Sequence, residues 1–221
     1  MSIFAIPVTD EYGVTYQLTT AGYTVLVIAM IAALLVGCAT FGSKRKFSAK
    51  QLTFSAMAIS LAMVTSMLKL GGLPMGGSIT LCSMLFIVLI GNWYGLGVGI
   101  TTALAYGIMQ LIIEPYIISL PQMLIDYIFA FGALGLSGVF SKSKNGLLKG
   151  YLLAVSGRFV FAVISGYIFF PTFMPQYFNN ALIYSICYNA AYIVPETLLT
   201  LLVICMPPVN KALNQVKSLS N

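Results

Sequence analysis

The chain contains no histidine. That absence removes the side chain most often used as a general base near neutral pH, a frequent zinc ligand, and the Ser–His and Cys–His pairs of nucleophilic catalysis. Charge is scarce too, at 7% of 221 residues, where a soluble domain carries about 25%. No GxxxxGK[ST] sequence occurs, so the chain has no P-loop with which to use ATP by itself. Its four cysteines, Cys38, Cys82, Cys187 and Cys205, make no CxxC pair and all lie in apolar runs, as small buried hydrophobes do. Nothing in this inventory nominates a catalytic residue, a metal site or a bound cofactor.

What is abundant is apolar. Hydrophobic residues make up 59% of the sequence, a composition that belongs in a bilayer. The net charge of +6 does not point to nucleic acid, because the basic residues fall in short loops between apolar runs, the positive-inside pattern. The predicted class is an all-α membrane protein in contact with lipid, with no nucleic-acid partner.

Residues 1–20 are mixed and carry Asp10 and Glu11. The run at 23–41 is long enough to span. Its end, Leu35-Val36-Gly37-Cys38, looks like a lipoprotein cleavage box. A signal peptide, however, has positive charge before its apolar region, whereas here acids precede and Lys44-Arg45-Lys46 follow. The charges predict an uncleaved helix with the amino terminus outside. Further helices are expected at about 51–69, 79–91, 95–113 and 121–140, then from about 150 to 170 and from 181 to 206, all but the shorter 79–91 run near the roughly 20 residues a span needs. The division is therefore an outer amino terminus, first span and basic loop (1–50), a six-helix domain (51–206) and a cytoplasmic tail (207–221). In this topology nine of the eleven basic residues lie inside, all but Lys69 and Arg158, while Asp10, Glu11 and Glu114 lie outside. The carboxyl terminus is cytoplasmic.

The stretch YIISLPQMLIDYIFAFGALGLSGVF, 116–140, sets Asp126 beside Tyr127 inside an apolar segment, ten residues after Tyr116. A carboxylate at the centre of a membrane helix costs about 2.5–3.5 kcal/mol, so it marks a function by default. On the fifth of the later helices Arg158, Ala162, Gly166 and Phe170 recur every four residues, one slowly drifting stripe. On the sixth, Tyr184, Tyr188 and Tyr192 repeat at the same interval, with Asn189 beside Tyr188 and Glu196 deeper. Together these predict a cavity of phenol rings, an amide and a carboxylate, entered from outside and suited to a small, flat, polar or cationic solute. Each residue also has a plainer reading: interfacial tyrosines form belts, Arg158 can pair with Asp126 or Glu196, and Glu196 can tie helices together.

The segments LKLGGLPMGGSITL, EPYIISLPQMLIDYIFAFGALGLSGVF, RFVFAVISGYIFF and YSICYNAAYIVPE resemble the thiamine-specific substrate-binding (S) components of energy-coupling factor (ECF) vitamin transporters. The likeness runs over about residues 51–206. It implies a six-helix bundle that captures thiamine near the outer surface, and two kinds of partner: a transmembrane coupling subunit and two cytoplasmic ATPases. By the same resemblance, Tyr116, Asp126, Tyr127, Arg158, Gly166, Tyr184 and Asn189 match the vitamin-binding residues. Phe170 stands where the family has a tryptophan, Ala162 where it has a histidine, and Gly77 near a loop tryptophan. Ala58 and Ala62 match the AxxxA pattern with which S components dock on the coupling subunit; small residues one turn apart also serve ordinary helix packing. The departures leave open another vitamin, or a related pyrimidine or thiazole compound. Two other classes stand beside this one: an intramembrane enzyme using Asp126 and Glu196, and a structural membrane protein whose polar residues lock helices.

Overall fold

The computed structural model describes residues 5–10, 13–22, 24–25, 28 and 47–220, apart from 177. The expected first span at 23–41 lies outside the described residues except for Thr24, Val25 and Ile28, as do Glu11, Lys44, Arg45 and Lys46. Near the amino terminus, β1 (Ala5–Asp10) pairs antiparallel with β2 (Gly13–Leu18), Ala5 opposite Leu18 and Asp10 opposite Gly13.

Six helices then form the membrane bundle: α1 (Ala49–Met67), α2 (Ser83–Tyr94), α3 (Leu96–Ile113), α4 (Leu120–Phe140), α5 (Gly146–Phe169) and α6 (Ala181–Cys205). By length and composition α3, α4, α5 and α6 can each cross a bilayer. Helix α1 starts from a capping box: the Ser48 hydroxyl accepts from Gln51 N–H at 3.2 Å and Gln51 Oε1 accepts from Ser48 N–H at 3.1 Å, which uses two otherwise orphaned donors. The α1 hydroxyls return to the helix's own carbonyls, Thr53 to Ala49, Ser60 to Ala56 and Thr65 to Leu61.

Helix α2 is hydrophobic all round, as a helix surrounded by others must be. Met84, Ile87, Val88 and Ile90 are completely buried, and α1, α3, α4 and α5 all pack on it. It is shorter than expected, beginning at Ser83 rather than near 79. Residues Lys69–Gly72 and Ser78–Thr80 instead form an antiparallel pair, β3 and β4, with a bulge between Lys69 and Gly71. β-Branched Ile79 and Thr80 suit a strand, and Cys82 at φ 56° is non-helical. Helix α2 is thus shortened at its start, with the hairpin in place of its expected first turn. Non-helical backbone at membrane depth persists only where protein buries it or where it lines a cavity.

Helix α4 is irregular along its length. It opens as α-helix, becomes π-helical over Leu124–Phe129 and ends as 3-10 helix over Ala133–Phe140. Its tight final stretch lies on α3 with almost no room between backbones: a Cβ at Gly135 or Gly138 would overlap the main chain of Ile100 or Leu96. Outward faces of the bundle carry Leu52, Val64, Val139, Val160, Leu198 and Leu202, the surface lipid would cover. The tail is not extended; Pro207–Ser220 forms a further helix, α7, which lays Leu213 against the core.

Candidate functional site

The ends of α1, α3 and α5 and the starts of α2, α4 and α6 meet around a cavity of about 450 Å³. All eight residues expected to bind a solute, Tyr116, Asp126, Tyr127, Arg158, Gly166, Phe170, Tyr184 and Asn189, line it. They come from four separate segments of chain. Met75, Gly76, Gly77 and Ser78, at the turn of the β3–β4 hairpin, complete the lining from above.

Asp126 stands on the π-helical turn of α4, a local distortion found mostly at functional sites. Its carboxylate accepts one hydrogen bond, from Gln122 Nε2 at 2.6 Å. Gln122 is positioned in turn by the preceding loop, donating to the Tyr116 carbonyl and accepting from Ile118 N–H. The buried Ser165 hydroxyl lies near the carboxylate but outside hydrogen-bond geometry. Asp126 therefore keeps acceptor capacity for a solute.

Arg158 lies deeper, with its guanidinium carbon 4.4 Å from the centre of the Phe131 ring. The pairing with Asp126 or Glu196 is not made: among the described residues the one ion pair joins Lys69 to Glu114. Attraction to the ring is worth about 2 kcal/mol when desolvated, and it leaves the cationic edge to the cavity. Glu196 is not part of the lining. It is 2% exposed and accepts from the Ser83 hydroxyl at 3.0 Å and Thr80 N–H at 3.4 Å. Asp126 and Glu196, the two acids an enzyme would need, do not share the hollow.

Several residues expected to read a solute are already occupied. The Tyr127 hydroxyl accepts from Tyr116 N–H and donates to the Glu114 carbonyl, both at 2.8 Å. Its ring forms wall while its oxygen pins the loop before α4. Asn189 donates to the carbonyls of Ser185 and Ala162 and accepts from the Tyr192 hydroxyl at 2.7 Å, so it orients Tyr192 and braces α5 against α6. Gly166 permits that approach: a Cβ there would overlap the Ser185 hydroxyl. At the mouth, Tyr116 and Phe170 stack with ring centroids 6.0 Å apart and planes 17° from parallel. Both rings belong to the cavity lining.

Tyr188 clamps the hairpin, donating to the Pro74 carbonyl and accepting from Gly77 N–H at 3.0 Å. The glycine is required, because a Cβ at 77 would sit 2.7 Å from the Tyr188 oxygen. Sequence reasoning missed Gln122, Ser165 and Met75. Gln122 precedes Asp126 by one turn, a spacing that brings side chains together; nothing local marks the other two. Ala58 and Ala62 point inward. Both are buried, Ala62 completely, Ala58 packing with Ile90 and Ala62 joining the central core. The outward face of α1 carries Leu52, Ala56 and Ser60 instead.

Comparison with known proteins bears on this architecture. The family described as "Thiamine transporter protein (Thia_YuaJ)" matches residues 52–215. The thiamine transporter ThiT of Bacillus subtilis (strain 168) is 36% identical over 166 residues, spanning 69% of this chain and 84% of that protein. A solved structure of ThiT from Listeria monocytogenes superposes with a TM-score of 0.61 at 23% identity, covering 70% of this chain and 90% of the other. That likeness carries the six-helix fold across.

Proposed function

This chain belongs to the thiamine transporter protein family, and from that premise we propose that it captures thiamine from outside the cell as the S component of an ECF-type importer. The observation that carries the reading is Asp126, a carboxylate with spare acceptor capacity inside an aromatic-walled hollow. Thiamine is a cation with an aminopyrimidine ring. Asp126 supplies an acceptor for that amino group and a counter-charge, Tyr116 and Phe170 supply ring faces, and Tyr184 closes the side of α6. Arg158, at the deep end, faces the hydroxyethyl side of the molecule. Tyr127, Gly166 and Asn189 shape the walls rather than contact the ligand through their polar atoms.

Delivery into the cell requires energy from partners, a transmembrane coupling subunit with two ATPases. The docking contact belongs on the outward face of α1, at Leu52, Ala56 and Ser60, since Ala58 and Ala62 are spent on internal packing. In this reading the cavity mouth faces outside and α7 the cytoplasm. An impermeant thiol reagent would then label Ser218→Cys only after the membrane is opened.

Calorimetric titration of thiamine into purified protein tests the central claim. A saturable one-to-one isotherm without ATP is expected. No heat with thiamine but heat with a pyrimidine or thiazole relative would change the substrate and keep the class. Silence across the whole panel would remove the transport reading. Vitamin uptake by cells should additionally depend on the coupling subunits.

A further inference from the structure

The short helix α2 and the hairpin before it pose a requirement that the described cavity does not by itself meet. Helix α2 has 12 residues, about 18 Å at 1.5 Å per residue, too short to cross a hydrocarbon core of about 30 Å. The hairpin Lys69–Thr80 precedes it, exposed at Lys69, Leu70 and Gly72 but buried at Gly77 and Thr80, and a buried backbone N–H needs a partner. At its upper end Tyr188 supplies the partners. At its lower end the strand ladder closes with the Lys69–Thr80 pair, and β4 passes into α2. Leu81 N–H reaches back to the Thr65 carbonyl at 3.4 Å. Thr80 N–H finds Glu196.

We propose that Glu196 is the internal anchor of the cavity roof, a positioning residue that sets how long a ligand stays. Its two oxygens divide the work: one takes the Thr80 N–H at 3.4 Å, the other the Ser83 hydroxyl at 3.0 Å. Thr80 and Ser83 are themselves joined at 2.8 Å, which makes a closed triangle of acceptor and donors. Thr80 and Ser83 also line the cavity, so the triangle is shared between hairpin, α2 and α6. Nothing else in α6 below Tyr192 is bonded to the hairpin among the described residues. Without the carboxylate the β4 end of the hairpin would lose its side-chain tie to α6, leaving Tyr188 at the turn, the exposed Lys69–Glu114 ion pair and the Leu81–Thr65 backbone bond to hold it.

Buried Glu196 brings acceptors and no donors when ionised, which suits a site whose two neighbours both donate. Glutamine is therefore not an equivalent replacement: one oxygen becomes an NH2 facing a donor. The ligand-retention part of this proposal rests on thiamine being the ligand; the anchoring part does not.

Hydrogen exchange on the ligand-free protein reads the anchor directly. In Glu196→Ala the amides of residues 70–81 should exchange at least about tenfold faster, while those of α3 and α5 keep their rates. Ser83→Ala and Glu196→Gln should each give a smaller acceleration. The double variant Ser83→Ala/Glu196→Ala should be no faster than Glu196→Ala, because the two changes break one unit. Release of labelled thiamine should quicken about fivefold or more in the same order, with association changed less. Hairpin exchange within twofold of wild type in every variant that folds would overturn the anchor, and Glu196→Gln and Ser83→Ala decide if Glu196→Ala does not fold. Faster exchange with unchanged release would overturn the link to retention. Wild-type protein that binds no thiamine would remove thiamine as the ligand and leave the exchange result to judge the anchor alone.

Discussion

The two ends of the bundle are built by opposite means. Around the cavity, irregular backbone is held by side chains that reach across the fold: Tyr127 to Glu114 and Tyr116, Tyr188 to Pro74 and Gly77, Glu196 to Thr80. Toward the other end, α2, α3 and α4 meet through Gly91, Gly99, Gly135 and Gly138, where main chain touches main chain. Close contact between small residues stabilises helices in lipid, where no hydrophobic drive separates helix from solvent. A hollow cannot be made that way. Keeping space open requires groups that hold backbone at arm's length, and phenols and carboxylates do so while satisfying amides.

The contrast predicts a ranking of effects. Gly135→Val should be the most damaging change, because its new carbons meet the main chain of Ile100. A loss of about 3 kcal/mol or more is expected, seen as a fall of about 10 °C in the thermal midpoint or failure to purify. If Gly135→Val melts normally, the close-packed end is not what we describe. Asp126→Asn should act the other way round. Thiamine affinity should fall by about tenfold or more, equivalent to 1.4 kcal/mol, with ligand-free stability nearly unchanged; full affinity would exclude the carboxylate from the site. Tyr188→Phe deprives Gly77 N–H and the Pro74 carbonyl of their partner. One such hydrogen bond is worth about 1 kcal/mol, so affinity should weaken by about fivefold in titration. A larger loss of stability than of affinity would mean that the hairpin serves the fold before the ligand. Least of all, Lys69→Ala removes an ion pair whose side chains are 42% and 46% exposed. The midpoint should shift by no more than about 1–2 °C, as surface pairs contribute little.

The placement of chemistry was easier to read from the sequence than its division of labour. Asp126 announced itself by cost, and the four-residue rhythms from Arg158 and from Tyr184 put their members on faces that do converge. The breadth of the bundle followed from apolar runs. What lay beyond reach depended on contacts between residues far apart in the chain. Tyr127 and Asn189 look like ligand readers in sequence, yet their polar atoms are committed to backbone 11 to 27 residues away or to a neighbour on the same helix. Glu196 reads as a tie between helices, and its partner turned out to be a strand 116 residues earlier. Ala58 and Ala62 carry the AxxxA spacing on a buried face, since a four-residue interval fixes a stripe but not the direction in which it points. The hairpin itself was hidden because glycines signal a turn without saying whether strands flank it.

The sole indole of the chain has a consequence of its own. Trp93 meets Phe54 edge-on with centroids 6.1 Å apart, among α1 and α2 and away from the residues that line the hollow. Its emission should stay dark to a vitamin arriving at the far mouth, yet change when another polypeptide leans on α1. If the coupling subunit docks on α1 as proposed, this single residue reports assembly and ignores cargo without any label.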